Sequence, residues 1–373
     1  MSTNYSPFKP PLKSVAKTSA TISGELDGAL LAYFQPEYSI NQQKIVGIEA
    51  LARMRDPSGQ ILSPDSFIPF LDMDERRELS RLMLVAGLQV LESLDAKGIF
   101  LNLSFNVDPD FMVDHDCATC FTGTMATSPI APARIFLELL ESGDFLNRNI
   151  AKERLLALRA TGVRIALDDV GSAYSSLLRM KDLPIDKIKL DQGFIRDLCA
   201  QPKNLAFVQS IQLLANALNA ELVIEGVETL SILDAMRALR LDHVQGYAIA
   251  RPMPADVLLT MLQSDYIMPE GTASHPATLL GAYAAHLLRR PLMDALRRGW
   301  IDVSLAIEPP PCPLVTYLHE HGAPPDHPLL LAHARLRQAK SDPGQGYLDQ
   351  ALTRIEAEIQ ELVREAILFE SDR

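Results

Sequence analysis

Short apolar runs alternate with longer segments of helical periodicity between Ala32 and Pro254. The runs are typical of strands buried on both faces, because they lack the polar–apolar alternation of a half-exposed strand. They comprise residues 99–104, 134–141, 163–169, 187–191, 221–226 and 243–247. Segments such as 204–220 and 231–240 have helical spacing instead. This βα alternation, without a glycine-rich phosphate loop after the first strand, favours a (β/α)8 barrel over a Rossmann sheet.

Polar residues stand where most of these predicted strands end. They are Glu49, Asn102, Glu138, Asp168, Asp169, Lys189, Glu225 and Gln245. Barrel active sites lie at the carboxyl ends of the strands, so these side chains are expected to converge. Carboxylates that converge raise one another's pKa unless cations neutralise them. Carboxylate and amide oxygens suit Mg²⁺ or Mn²⁺, and the adjacent aspartates are explained if one of them bridges two ions.

Each acid taken alone has a simpler interpretation. A single carboxylate at a strand end is more often a helix cap or part of a surface ion pair. Lys189 and Asp191 lie two apart and share one face of their strand, which is also compatible with a buried ion pair. The recurrence of acids at successive strand ends is what favours a catalytic site.

The composition narrows the possible partners. The chain has 373 residues, 47% of them hydrophobic, and a net charge of −12, so binding to long nucleic acid is not expected. Four cysteines do not indicate a disulfide framework, which favours a cytoplasmic location. We find no apolar run of about 18 residues and expect no membrane insertion. Residues 1–22, rich in Ser, Thr, Pro and Lys, are expected to form a flexible arm.

Several motifs in order resemble the EAL family of cyclic-di-GMP phosphodiesterases across roughly residues 28–264. They read YFQPEYS, GIEALARMR, LSPDSFIPF, LNLS, LELLES, DDVGSAYSSL, LPIDKIKLD, VIEGVET and VQGYAIARPMP. The resemblance implies that residues 23–266 form a TIM-like barrel. It also implies a hydrolase that converts cyclic-di-GMP to linear pGpG with two divalent cations, Mg²⁺ or Mn²⁺.

The same resemblance implies individual roles. The metal ligands would be Glu49, Asn102, Glu138, Asp168, Asp169 and Glu225. Lys189 would orient or activate the attacking water, with Gln245 as a further contact. The nucleotide would be held by Gln35, Leu51, Arg53 and Asp191. Glu141 would anchor the loop after the paired aspartates, and Glu228 would support it.

The motifs depart from the family pattern in two places. The loop after Asp169 carries Val170, Ser172 and Ala173 where the family has Phe, Thr and Gly, and Leu140 replaces a threonine. No presumed metal ligand is replaced, which favours an active enzyme. The altered loop keeps open the alternative of a catalytically weak receptor that binds cyclic-di-GMP and signals to a protein partner.

Residues 270–373 predict a smaller, all-α regulatory domain. Apolar residues spaced four and three apart in its last helix predict either a coiled-coil dimer or a bundle helix, and we expect a homodimer. The segments AAHLLRRPLMDAL, CPLVTYLHEHG and LLAHARLRQAK resemble the chemoreceptor zinc-binding family. That resemblance implies zinc ligands at His286, Cys312 and His333, with Arg337 where a fourth ligand is expected. A bundle without metal is the alternative.

Overall fold

In the part of the chain that the structure describes, eight strands close into a ring, and two further strands extend it. In the computed structural model the ring order is β2-β10-β9-β8-β7-β6-β5-β3, closed by pairing of β3 with β2. The strands are β1 Ala20–Ile22, β2 Gly28–Ser39, β3 Lys44–Arg55, β4 Ile61–Leu62, β5 Asn102–Asn106, β6 Ile135–Leu140, β7 Arg164–Val170, β8 Lys187–Leu190, β9 Glu221–Ile224 and β10 His243–Val244. The predicted barrel is thereby confirmed.

One strand of the ring runs against the others. β2 is antiparallel to both of its ring neighbours, β3 and β10, whereas the remaining neighbours in the ring are parallel. Residues 40–43 alone join β2 to β3, and a connection that short cannot carry a parallel crossover. The barrel is therefore TIM-like without being a strict (β/α)8 repeat.

The structure describes residues 20–22, 28–107, 115–140, 150–171, 180, 183–264, 275–297, 311–341 and 348–371. Glu141, Ser172, Ala173 and nearly all of the predicted arm lie outside these residues. The helices are α1 Met73–Asp95, α2 His115–Ala126, α3 Ile150–Arg159, α4 Gln192–Arg196, α5 Asn204–Leu218, α6 Leu230–Ala238, α7 Ala255–Gln263, α8 Leu279–Arg297, α9 Pro313–Glu320, α10 Pro328–Ser341 and α11 Leu348–Ser371. None of the described helices is both long and apolar enough to cross a bilayer.

The chain divides into two compact units. The first contains the strands and includes described residues from 1–192, 214–226 and 243–269. Its core lies along the strands, as in β6, where Ile135, Phe136, Leu137 and Leu139 are inaccessible to solvent. Continuous apolar runs of this kind are expected when both faces of a strand are covered.

The second unit joins α6 to the helices that follow residue 275. It includes described residues from 193–213, 227–242 and 270–373, whereas we predicted a domain boundary between 266 and 270; that boundary stays a prediction. The buried Asp234 carboxylate on α6 accepts hydrogen bonds from Thr278 N (2.9 Å) and Oγ1 (2.8 Å). A Cβ at Gly281 would overlap that carboxylate, so glycine allows the first turn of α8 to approach α6.

The last helix packs within this unit. Its buried residues are Leu352, Ile359, Val363 and Ile367, and it contacts α10. Spacing of seven, four and four follows the 3.6-residue period of a straight helix rather than the 3.5-residue period of a coiled coil. This packing favours the bundle interpretation of α11, and the homodimer stays a prediction.

Candidate active site

Four carboxyl groups surround one buried ammonium group at the carboxyl ends of the strands. Lys189 Nζ lies 2.7 Å from Glu225 Oε1, 3.0 Å from Glu138 Oε2, 3.2 Å from Glu49 Oε2 and 3.4 Å from Asp168 Oδ1. We name these five residues the upper cluster. They come from β3, β6, β7, β8 and the residue after β9, so barrel closure brings together side chains that are distant in sequence. One positive charge here faces up to four negative charges.

Two amide side chains outside the upper cluster donate hydrogen bonds to its acids. Gln245 Nε2 donates to Glu49 Oε2 at 2.7 Å. Asn106 Nδ2 donates to Glu49 Oε1 at 3.2 Å and lies 3.5 Å from Glu138 Oε2. These contacts fix the orientation of the Glu49 carboxylate, and Asn106 is a residue that the sequence analysis did not identify.

The structure places Asn102 at the other end of the same strand. Asn102 begins β5 opposite Gly47, and Asn106 ends it, about 13 Å further along. The residues are four apart and share one face of the strand, so alternation cannot distinguish them. The predicted run stopped at residue 104; extending it by two residues would have pointed to Asn106. The ligand role of Asn102 stays a prediction.

A bulge brings the second of the paired aspartates to the site. In a regular strand Asp168 and Asp169 would face opposite sides. The pairing of β7 with β8 shifts register between Leu167 and Val170, and Asp169 adopts a φ of 54°. As a result, ligand oxygens of Asp168, Asp169 and Glu225 all lie within 4.8 Å of one another. A left-handed non-glycine residue carries strain that is typical of functional sites.

Burial and mutual repulsion raise the pKa values of most of these acids. Burial, together with the charge of Glu49, raises the pKa of Glu138 well above its usual value. Burial raises the pKa of Glu225 to about 8, and burial with the neighbouring Asp168 raises the pKa of Asp169 to about 6. Burial is the largest single influence on Glu49 and would raise its pKa, but the charge of Lys189 and the hydrogen bonds that Glu49 accepts from Gln245 and Lys189 together outweigh burial, so the pKa is lowered. The acids therefore hold extra protons in the absence of another cation.

The upper cluster fits divalent cations. Glu138 is inaccessible to solvent, and its Oε1 atom has no hydrogen-bond partner among the residues that the structure describes. An orphaned buried acceptor of this kind costs about 1–3 kcal/mol, and an ion at this position would satisfy it. The surrounding donors are carboxylate and amide oxygens, which suit Mg²⁺ or Mn²⁺.

Three of the predicted nucleotide-binding residues lie along the inner faces of β2 and β3. Gln35 is paired with Glu49 across the two strands, and its Nε2 donates to Ala250 O at 3.2 Å. Leu51 and Arg53 follow Glu49 at alternate positions of β3, so they share its face. These side chains extend from the acids along one line of the barrel wall.

The remaining residues of the predicted site are Asp191, Glu228 and Glu141, and each has a different position. The Asp191 carboxyl group contacts that of Asp169, which brings it to the edge of the upper cluster. Glu228 accepts a hydrogen bond from Arg196 Nε at 3.0 Å, and both side chains are partly exposed. Glu141 lies outside the described residues, so its loop-anchoring role stays a prediction.

A second group of potential ligands lies in the helical unit. His286 Nδ1 is 3.1 Å from Cys312 Sγ, and the rings of His286 and His333 are 5.5 Å apart. One ligand atom from each residue falls within 4.8 Å of the other two. Cys312 directly precedes α9, and Arg337 follows His333 by one turn of α10. The helices bring together the three residues that the sequence predicted as zinc ligands.

The fold and the upper cluster define a barrel protein with an acidic site at the carboxyl ends of its strands. Within that class, the chain belongs to the EAL domain family, whose model matches residues 21–252. The chain is 32% identical over 234 residues to cyclic di-GMP phosphodiesterase RocR of Pseudomonas aeruginosa, covering 62% of this chain and 60% of RocR. It is 33% identical over 254 residues to cyclic di-GMP phosphodiesterase PA2567 of the same organism, covering 66% of this chain and 43% of PA2567.

Solved structures support the same assignment. The PaMucR phosphodiesterase in complex with c-di-GMP superposes with a TM-score of 0.57 and 30% identity, over 61% of this chain and 94% of that one. The sequence matches span about 60% of RocR and less than half of PA2567. Family membership therefore concerns the barrel, and the helices beyond residue 275 lie outside the matched residues.

Proposed function

We propose that this protein is a divalent-metal-dependent phosphodiesterase that hydrolyses cyclic-di-GMP to linear pGpG. The observation that carries the proposal is the upper cluster, in which four acids surround Lys189 and Glu138 Oε1 lacks a partner within the described part of the chain. Like charges held this close repel one another, and a cluster that carries this cost is typical of a functional site. The names of RocR and PA2567, both cyclic di-GMP phosphodiesterases, support this substrate and reaction.

The acids and one amide of the site would hold the ions; for the amide, this proposal takes Asn106, which donates to Glu49, in place of Asn102, the residue predicted from the sequence. They are Glu49, Asn106, Glu138, Asp168, Asp169 and Glu225. Two divalent ions, when bound, would neutralise charge on the phosphodiester and lower the pKa of a water molecule. A bond would form between the water oxygen and phosphorus while the bond to the leaving ribose oxygen breaks. Of the two water protons, one would end on the ribose oxygen and the other would be released to solvent.

The protein groups would position the reactants. Lys189 Nζ can donate to the attacking water or to a phosphate oxygen, and its four acidic neighbours keep it charged because they outweigh burial and raise its pKa. Gln245 holds Glu49 in a fixed orientation through its 2.7 Å hydrogen bond. Gln35, Leu51, Arg53 and Asp191 would hold the nucleotide.

Chromatography that separates pGpG from cyclic-di-GMP tests this function directly. Wild-type protein should form pGpG with Mg²⁺ or Mn²⁺ and stop when EDTA is added. Glu49→Ala should form none while keeping a circular dichroism spectrum near that of wild type, because it removes an ion ligand rather than core volume. Binding of cyclic-di-GMP without product, with either ion, would instead favour the receptor alternative.

We also propose that His286, Cys312 and His333 bind Zn²⁺ and that the helical unit regulates the barrel. Two imidazoles and a thiolate form an ordinary zinc donor set with one position left for water or another ligand, such as His319, His321 or His327. Their mutual distances support this site. An open position would make the ion exchangeable, as a sensor requires.

Competition with a chromophoric chelator tests zinc binding. Cys312→Ser should weaken the affinity at least about tenfold, whereas Cys199→Ser, which changes a cysteine outside the trio, should not. Arg337→His should tighten binding, because it supplies a nitrogen one helical turn from His333. Equal affinity in all four proteins, or no binding in any, would refute the zinc proposal.

A further inference from the structure

A second buried polar group lies below the upper cluster, toward the amino ends of the parallel strands. Glu37 Oε2 accepts a hydrogen bond from Lys187 Nζ at 2.6 Å, and Glu37 Oε1 lies 2.6 Å from His243 Nδ1. Lys187 Nζ also lies 4.1 Å from the centre of the Phe136 ring. Lys187 is 1% exposed and Glu37 6%. We name Glu37, Lys187 and His243 the lower triad.

The lower triad uses the same strands as the upper site. Lys187 precedes Lys189 by two residues on β8, and the residue two after His243 is Gln245. On β2, Glu37 follows Gln35 by two residues. Side chains two apart on a strand share a face. Each member of the lower triad therefore has a counterpart in or beside the upper cluster on its own strand.

The contact between Glu37 and Lys187 crosses the barrel. In the ring, β10 and β9 separate β2 from β8, so no backbone hydrogen bond joins β2 to β8. The Glu37 carboxylate therefore supplies a direct connection between two strands that are otherwise related only through their neighbours.

The backbone around Glu37 is adapted to hold a carboxylate. The pairing of β2 with β3 shifts register between Glu37 and Tyr38, and Glu37 lies opposite Gly47. A Cβ on Gly47 would lie 3.4 Å from Glu37 Oε2, an ordinary contact distance, so β3 passes directly beside the Glu37 carboxylate at this position. Bulges of this kind redirect side chains near functional sites.

We propose that Glu37 is a positioning residue for the phosphodiester hydrolysis. By binding Lys187 and His243 it sets the heights of β8 and β10 against β2, and thereby places Lys189 and Gln245 on the Glu49 carboxylate. Both of those contacts are short, 3.2 Å from Lys189 and 2.7 Å from Gln245. The kinetic consequence rests on the proposed function, but the placement of Lys189 does not.

The test compares Glu37→Leu, Glu37→Gln and Asp95→Leu with wild type. In Glu37→Leu we expect kcat to fall at least about tenfold with KM within about threefold, because ion and nucleotide contacts remain while Lys189 shifts. Glu37→Gln keeps an acceptor for Lys187 and should retain kcat within about threefold of wild type. Asp95→Leu breaks the half-buried pair with Arg134 (2.6 and 2.8 Å), which lies outside both polar groups, and should lower Tm without changing kcat.

A second readout needs no turnover. In protein labelled with ¹³C at lysine Cε, the Lys189 resonance, assigned with Lys189→Met, should shift in Glu37→Leu and stay in place in Asp95→Leu. A lower Tm with wild-type kcat and an unchanged Lys189 signal in Glu37→Leu would overturn the proposal. If wild type does not hydrolyse cyclic-di-GMP, the proposed function is refuted. The Lys189 resonance in Glu37→Leu then tests by itself whether Glu37 positions Lys189. If Glu37→Leu does not fold, Lys187→Met, which removes the same connection, takes its place with the same expectations.

Discussion

The upper cluster and the lower triad are both buried, and both are built around a lysine of β8, yet the pKa values of most upper-cluster acids shift in the opposite direction from that of Glu37. Burial and repulsion raise the pKa values of Glu138 and Glu225 in the upper cluster. In the lower triad burial would raise the pKa of Glu37, but Lys187 and His243 outweigh it and lower the pKa to about 2. The difference is in the number of acids that share each cation.

This contrast separates a structural ion pair from a site that needs a ligand. The Glu37 carboxylate has a short contact at each of its oxygens. In the upper cluster, no described residue is a hydrogen-bond partner of Glu138 Oε1, and four acids share one ammonium group. Buried charges are normally paired and hydrogen-bonded, so an unsatisfied excess of one sign indicates that a further ion belongs there.

The largest expected effect is on catalysis in the upper cluster. Glu138→Gln should reduce kcat by about 1,000-fold, about 4 kcal/mol, because it removes a charged ligand without changing shape. Stability of the EDTA-treated protein should not fall by more than about 1 kcal/mol, since burial raises the pKa of this carboxyl group and so disfavours the charged form that the substitution removes. Product formation and urea unfolding measure the two quantities. Activity within tenfold of wild type would contradict the ligand role.

The substitution Glu37→Gln in the lower triad should show the reverse pattern, with a loss of folding stability and little loss of activity. A pKa of about 2 against an ordinary 4.5 corresponds to about 3 kcal/mol. Because the folded-state pKa is the lower one, this stabilisation is complete above pH 4.5 and is lost as the pH falls to 2. Urea unfolding across that range should show the difference between wild type and Glu37→Gln shrinking towards pH 2. A difference that stays constant would refute the assignment.

Of the two polar groups of the barrel, only the upper cluster should respond to metal removal. At pH 8, Mn²⁺ at a hundred times its dissociation constant at that pH should stabilise wild type by about 2.7 kcal/mol relative to EDTA-treated protein, and the same Mn²⁺ concentration is used at pH 6. The gain should be larger at pH 8 than at pH 6, because Glu225, with a pKa of about 8, must lose its proton to bind the ion. Thermal unfolding measures both gains. Glu37→Gln should be stabilised by Mn²⁺ at pH 8 as much as wild type is. If Mn²⁺ did not stabilise this variant, the lower triad would not be independent of ion binding by the upper cluster.

The smallest expected effect is a difference in kcat/KM between alanine variants of the two asparagines of β5. Asn106→Ala should lower kcat/KM about 30-fold, about 2 kcal/mol, because Asn106 donates to Glu49. Asn102→Ala should stay within about threefold, since Asn102 lies opposite Gly47 at the start of the strand. Equal losses in both variants would show that the strand's two ends are not functionally distinct.

The positions at which the predicted strands end in the sequence include most residues of the upper cluster. Apolar runs ending in acids located Glu138, Asp168 and Glu225, because parallel strands bring their carboxyl ends to one side of a barrel. The choice of Asn102 over Asn106 could not be settled by alternation, which is identical for residues four apart. The inward turn of Asp169 depends on a bulge that period-two patterns do not encode.

The lower triad could not be predicted at all. Glu37, Lys187 and His243 are far apart in sequence, and their meeting depends on the order of strands around the ring. The direction of β2 matters as well, since reversing it would carry Glu37 towards the opposite end of the barrel. Topology of this kind is a property of the whole sheet and leaves little trace in any single segment.

The hydrogen bonds between Asp234 and Thr278 have a practical consequence for anyone who wishes to shorten this protein. Ending the chain near residue 266, where the family resemblance stops, would cut through the second unit rather than between units. It would leave a buried carboxylate on α6 without both of its donors and strip the cover from the apolar side of that helix. A truncated barrel should therefore express poorly or aggregate, and Asp234→Leu in the shortened chain is the substitution we would introduce first to recover it.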